Sequence, residues 1–434
     1  MTVPERREVL RSRWATVLVV AVWAWVVVPR TVQSITAPKY RAAVGTAEIE
    51  YSGITKLVVL GLTVVVVLLC LVIVIGSLTD LPRGGFGGVL LMVAPWVYLV
   101  VRDLYIGQHP ALPSIAYPVV VAAVWVLRMR VRQLAVLGLL VGVTAAISVA
   151  IAVVLPNGGL YRSEIGSFIT EDKQILPWGT LVGVFSQGNN LGQFMVLGLP
   201  LILLIRAKGL RAGLLLVTSL TIVWSASRSS LLAVGLVAVV ALVLSTVRPI
   251  NRAVVGVVAC AASFVVVCVL PLITIDPTAF TNRGLIWLAS LDWWRAKPWW
   301  GNGSNWYADV GRTSARLAGS AFHGHNQLVQ LLVTGGLVLA VLVALQLWAT
   351  AVRAARLATE HQSFGITYLV ALAGTCLLEK SLVYVDNTTF FPVVVLPLAV
   401  LLVGDREAGP RPARHQHSPA AGQLSRRYSV TIRP

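Results

Sequence analysis

Charge is scarce in this chain. Asp, Glu, Lys and Arg make up 12% of its 434 residues, against roughly 25% in a soluble domain. Acids are scarcer than bases: 17 Asp plus Glu stand against 35 Lys plus Arg, a formal net charge of +18. So few charged groups cannot solvate the surface of an ordinary globular protein of this length. Cysteine is rare too. Cys70, Cys260, Cys268 and Cys376 all lie inside apolar runs, without a CxxC pair or a neighbouring histidine. That pattern excludes a disulfide framework and a zinc ribbon, and the expected state is four buried, inert thiols. No D-x-D or E-x-D occurs in a long loop, which removes the usual acid pair of a metal-dependent glycosyltransferase; outer carboxylates such as Asp103 are what that rival would use as ligands.

What the chain has instead is apolar length. It is 57% hydrophobic, its mean hydropathy is +0.82, and runs near twenty residues follow one another with short gaps. Such runs are long enough to cross a bilayer, where backbone groups must be satisfied within the segment, so they are read as helices. Twelve spans are expected, at about 14–29, 56–76, 84–101, 111–127, 134–155, 190–205, 212–227, 229–246, 253–273, 326–350, 363–383 and 388–403. The fold class is therefore all-α integral membrane, one polytopic domain over 1–403. A tail at 404–434, containing Arg, Pro and Ser, is expected to be disordered and cytoplasmic. The basic start and apolar run of 1–29 resemble a signal peptide, but no A-x-A site follows, and an uncleaved first helix is expected.

Where the bases sit fixes an expected orientation. Arg6, Arg7, Arg11 and Arg13 precede the first span, Arg128, Arg130 and Arg132 occupy one tight turn, and Arg206, Lys208 and Arg211 occupy another. By the positive-inside rule these face the cytoplasm, which puts both termini inside. A nucleic-acid protein would gather its bases on one soluble face, so that reading is rejected. The long segments, about 30–55, 156–189 and 274–325, all fall outside. A chain with tight inner turns and large outer loops is expected to work on the outer face, with the loop at 274–325 between spans nine and ten carrying an interfacial helix.

Four outer stretches hold residues suited to chemistry. Trp224-Ser225-Ala226-Ser227-Arg228-Ser229-Ser230 joins two spans with almost no loop. Arg228 therefore sits at the membrane boundary, where an unpaired cation is costly; a snorkelling arginine or ion pair competes with a guanidinium that grips an anionic headgroup. Thr281 to Trp300 reads as a helix capped by Thr281 or Asn282 and ended by Pro298, with Ile286, Trp287, Ser290, Leu291 and Trp294 on one side. Five tryptophans between Trp287 and Trp300 suit the bilayer interface. Arg283 in its first turn is an odd place for a cation against the helix dipole, and a phosphate would account for it.

Phe322-His323-Gly324-His325-Asn326 opens the tenth span. A helix N-terminus favours neutral imidazole, which makes His325 a candidate acceptor of a hydroxyl proton. Two histidines at i, i+2 also raise a metal, but no third ligand is evident in the sequence. Last, Phe185 to Gly192 offers Gln187 and Asn189 for capping or for sugar hydroxyls.

The order of these pieces carries a resemblance. Arg228 beside serines, then R-x-x-x-W from Arg283 to Trp287, P-x-x-G-x-G at Pro298, Gly301 and Gly303, His325-Asn326, and Gly335-Gly336 resemble the O-antigen ligase and polymerase family of membrane glycosyltransferases over about 180–350. The resemblance implies a transferase without metal or cofactor, using a polyprenyl-diphosphate-linked glycan as donor. It implies that Arg228 and Arg283 bind the diphosphate and that His325 is catalytic. Gln187, Asn189, Asn326 and Trp287 are weaker expectations as contacts to donor or acceptor glycan. Expected partners are the lipid-linked donor, a glycan or lipid acceptor and membrane lipids, at the outer face of the cytoplasmic membrane. The alternative is a multi-span transporter or flippase, kept open by Glu379-Lys380, an acid–base pair towards the outer end of the eleventh span.

Overall fold

The fold is taken from a computed structural model, which describes residues 3–36, 51–82, 84–161, 174–310, 323–358, 363–385 and 388–404. The expected disordered tail lies outside the described residues, apart from Gly404, as does Asp386 beside the eleventh span.

Among the described residues thirteen helices longer than one turn make the frame: α1 (Val3–Thr36), α2 (Gly53–Gly76), α3 (Phe86–Tyr105), α4 (Ala116–Val126), α5 (Ala135–Val154), α6 (Gly188–Ile202), α7 (Lys208–Trp224), α8 (Arg228–Thr246), α9 (Arg252–Ile273), α10 (Ala279–Ala296), α11 (Gln327–Ala358), α12 (Phe364–Leu378) and α13 (Phe391–Val403). The sheet among the described residues is one antiparallel pair, Leu160–Tyr161 with Thr180–Leu181. Each expected apolar run contains a helix. Among the described residues seven helices are long and apolar enough to cross a membrane, and the runs at 112–126, 364–378 and 391–403 are shorter apolar helices.

Burial explains why the short ones can be short. Every residue of α13 is buried, as is every residue of α12 from Phe364 to Cys376. These two form the centre, and α2, α8 and α9 present mostly exposed apolar faces around them, such as Leu68, Leu242 and Val265. A helix that never meets lipid need not match the bilayer's thickness. Two boundaries differ from expectation. Helix α1 runs on to Thr36 through Pro29, and α12 stops at Leu378, so Glu379 and Lys380 lie past a helix end instead of inside a span. Cys268 is a further correction: it is exposed on α9, while the other three thiols are buried.

The two ends of the bundle are chemically different. At one end Asp80 collects Arg7, Arg11 and Arg128, and Arg130 pairs with Glu8. Helix α1 starts there and ends at the other, where Ser34 donates to the Gly183 and Val184 carbonyls just ahead of α6. That second end holds the residues singled out above.

There the 298–305 loop is locked into a break in α11. At Gly336 the backbone turns to φ 68°, ψ −167°, a region open essentially to glycine alone. The break frees backbone groups, and the loop takes them up. Asn302 and Gly303 amides donate to the Val333 and Thr334 carbonyls at 2.7 and 3.2 Å; Leu337 and Val338 amides donate to Pro298 and Trp299 carbonyls at 2.9 and 3.3 Å. Tyr98 closes the join by donating to the Gly335 carbonyl at 2.7 Å. The Pro-Gly-Gly and Gly-Gly elements are thus two halves of one backbone interlock. A Cβ on Gly336 would lie 2.2 Å from the Trp299 oxygen. Gly336→Ala is expected to destabilise the protein by about 1–3 kcal/mol through backbone strain alone, visible as a lower unfolding temperature of the purified chain.

Candidate active site

Arg228 is placed by a turn of small residues. Helix α7 ends at Trp224, Ala226 takes φ 51°, and Ser227 caps α8 by accepting from the Ser230 amide. Its hydroxyl also meets Ser229 and Ser230. The serines are small as well as polar: a Cβ on Gly192 of α6 would fall 2.5 Å from Ser230 Oγ and 2.7 Å from Ser227 Cβ. They let α6 close on the turn. Arg228 itself is exposed at the first position of α8. Gly374 of α12 packs against Ala233 of α8. Five residues back along α8 and five forward along the antiparallel α12 bring Arg228 and Glu379 to one level.

Arg283 begins the right-handed part of α10. Phe280, Thr281 and Asn282 before it are left-handed, with φ of 54°, 63° and 66°, so Thr281 and Asn282 form a kink where a cap was expected. The kink aims the arginine at the end of α12. Its Nε donates to the Leu378 carbonyl at 3.0 Å, Nη1 to the Phe280 carbonyl at 3.2 Å and Nη2 to Glu379 Oε1 at 2.7 Å.

Glu379 is the hub. Oε1 accepts from Arg283 and from Asn189 Nδ2, the latter at 2.8 Å. Oε2 lies 3.5 Å from His323 Nε2 and 3.4 Å from His325 Nδ1. The His325 contact has ion-pair distance without hydrogen-bond alignment. His323 Nδ1 accepts the His325 backbone N–H at 3.1 Å, which leaves the neutral ring's proton on Nε2, facing the carboxylate. The two rings sit 3.9 Å apart. Burial, then His325, hold the His323 imidazole well below the usual histidine range. Burial alone would raise the Glu379 carboxyl; His325, His323 and Arg283 more than reverse it, and it stays ionised. Its charge-dependent contribution to stability is therefore present above the ordinary carboxylate range and is lost progressively as the pH falls from that range through the lowered folded value.

Two amides hold that carboxylate in place. Asn326 Oδ1 accepts from the Leu328 and Val329 amides, capping α11, while its Nδ2 donates to the Val267 and Leu377 carbonyls. Gln327 Oε1 accepts from Ser381 and Leu382 amides and its Nε2 donates to the Leu382 carbonyl. Asn326, fully buried and committed at both ends, is a clamp between α9, α11 and α12 and has no face left for a glycan. Trp287 is corrected likewise. It is fully buried in a small core with Ile286, Trp306, Tyr307, Val329 and Val333, the side of α10 that the spacing pointed to. Gln187 is exposed at the start of α6, and Asn189 reaches Glu379. Trp287→Ala is expected to cost about 3–5 kcal/mol through the cavity it leaves, with Trp287→Phe retaining most stability. A glycan-stacking tryptophan would show the reverse: normal unfolding and lost transfer.

Sequence reasoning missed Glu379 as the shared partner of Arg283, His323 and His325. The signal was there in Glu379, an acid at the end of an apolar run, but its neighbour Lys380 looked like its mate. It also found no third metal ligand near the histidines. Among the described residues His323, His325 and Glu379 bring ligand atoms within 4.8 Å of one another. The donor set suits a divalent cation; the charge around it does not, because Arg283 already holds the carboxylate and Lys380 follows it. Asp103, the other acid considered for a metal, is buried against Arg102 and the Ser304 amide.

Residues 212–344 match the family model described as O-antigen ligase. The chain carries an O-antigen ligase domain. A comparison with curated proteins returns no match. The O-antigen ligase domain contains Arg228, Arg283, His323, His325 and the loop interlock. Asn189 and Glu379 reach into it from outside the matched stretch. The match supports a ligase- or polymerase-like function in polysaccharide assembly, and the long apolar helices among the described residues fit a multi-pass membrane protein.

Proposed function

We propose that the protein transfers a glycan from a polyprenyl-diphosphate donor to an acceptor hydroxyl, at the outer face of the cytoplasmic membrane. The observation that carries this reading is the convergence of Arg283 and a histidine pair on one buried carboxylate. Guanidinium groups fork onto phosphate oxygens and stabilise charge that develops on a leaving group. In this scheme Arg283 and Arg228 take the diphosphate, with the polyprenyl chain in lipid beside them. His325 Nδ1 is directed at Glu379, which leaves Nε2 to receive the acceptor's proton. The acceptor oxygen bonds to the anomeric carbon as the carbon–oxygen bond to the diphosphate breaks. The polyprenyl diphosphate leaves with the bonding pair, and the anomeric configuration inverts. Glu379 stabilises the charge that forms on the ring, as the carboxylate of a Ser-His-Asp triad does. Asn189, which holds Glu379, and Gln187 two residues before it are read as acceptor or donor contacts.

The reading is metal-free, and the cations around Glu379 support it. Transfer by purified protein should be unchanged in excess EDTA, with a polyprenyl-diphosphate glycan and a panel of acceptors. Loss of transfer on chelation, restored by zinc, would replace the base mechanism with a metal-assisted one. Flux of lipid-linked glycan into proteoliposomes without turnover would favour a flippase instead. The acceptor panel separates ligase from polymerase: a polymerase extends the donor's own glycan.

A further inference from the structure

Arg283 cannot serve a diphosphate and Glu379 equally. Three of its nitrogens are committed in the free protein, and the Nη2 edge that a bidentate phosphate would take is spent on Oε1. The two partners differ in access: 15% of the Arg283 side chain is exposed, against 4% of Glu379. A ligand arriving from outside meets the arginine and not the acid. Glu379 cannot follow, because Asn189 holds Oε1 and the Asn326 and Gln327 clamps fix the backbone on both sides. Arg283 can move, because the left-handed Phe280–Thr281–Asn282 turn just before it is a strained joint that a new partner can relax.

We propose that Glu379 is a latch shared between donor and base: a bound diphosphate draws Arg283 away, and the released carboxylate pairs with His325 and so readies it to take the acceptor's proton. The inference rests on the diphosphate reading above and adds an order to it, donor before acceptor. A buried carboxylate stripped of one partner is costly and seeks another. The groups facing Glu379 are Arg283, His323, His325 and the adjoining Lys380. Remove Arg283, and the two rings next to Oε2 become its nearest replacement. Glu379 is thus shared with Arg283 in the empty enzyme and turned to the histidines in the loaded one.

Glu379 is a positioning residue in this scheme, and its test has a readout that a structural role would not move. Undecaprenyl diphosphate is titrated into the purified full chain in nanodiscs, with histidine side chains labelled for NMR. In the wild type the probe should raise the midpoint of His325 protonation by about one pH unit, the size of a typical coupling. Glu379→Gln should bind the probe roughly tenfold more tightly, since Arg283 is no longer held, and should show no histidine response. In transfer assays the same variant should lower KM for the donor while lowering kcat. Glu379→Asp, which keeps the charge but retreats by one methylene, should fall between. The wild-type histidine response stands even if the Gln variant fails to fold. Binding that leaves His325 untouched in the wild type would overturn the latch and spare the diphosphate reading. No binding of the probe by wild type overturns both.

Discussion

Alanine at His325 is expected to slow glycan transfer by ~10²–10⁴-fold, the usual worth of a general base, while membrane insertion and donor binding persist. The geometry isolates this effect. His325 lies two residues before α11, with φ 45°, and its side chain holds no helix or loop together. Its Nδ1 faces Glu379, so the substitution removes a ring without opening a core. His323→Ala should give a smaller loss, because His323 accepts the His325 amide and orients its neighbour. Transfer measured on purified variants with matched expression decides the matter. Near-normal turnover by His325→Ala would remove the base from the mechanism.

Arg283→Ala should lower transfer by ~10²–10³-fold, the loss seen when a donor to developing negative charge is deleted. Arg228→Ala should fall in the same direction. Lysine at either position should rescue poorly, because a point charge does not reproduce the planar fork. At Arg283 a second loss accompanies the first: Glu379 is left buried without its nearest ion-pair partner, which destabilises the site. The double variant Arg283→Ala, Glu379→Gln separates the two. It should recover the unfolding temperature and leave transfer as low as in the single variant. Recovery of both would mean that Arg283 serves only to neutralise Glu379.

Much of the architecture was legible because one physical demand dominates it. Apolar runs bounded by bases must become helices in lipid, and the twelve expected runs each contain one. The apolar side of α10 was legible for a related reason, since Ile286, Trp287, Ser290 and Leu291 share a helical face whatever they pack against. Its partner was not. The same spacing that buries Trp287 against Val329 and Val333 is compatible with burying it in lipid or against a sugar. The left-handed turn at Phe280–Asn282 was hidden as well, because Thr and Asn are ordinary caps and nothing in their identity demands a positive φ.

Sequence alone determined the class of protein, the positions of its apolar helices and the presence of Arg228, Arg283 and His325 near loop boundaries. Hydropathy and the position of charge are local properties, and a bilayer turns them directly into structure. Only the tertiary structure decided which of those residues meet. Glu379 lies 96 residues beyond Arg283 and 190 beyond Asn189, and their shared contact depends on α12 ending beside the starts of α6 and of the right-handed part of α10. That pairing comes from helix packing and from the Asn326 and Gln327 clamps, which no local pattern encodes. The same packing made Glu379 the partner of Arg283 and the histidines, and turned Pro298, Gly301, Gly303 and Gly336 into one joint.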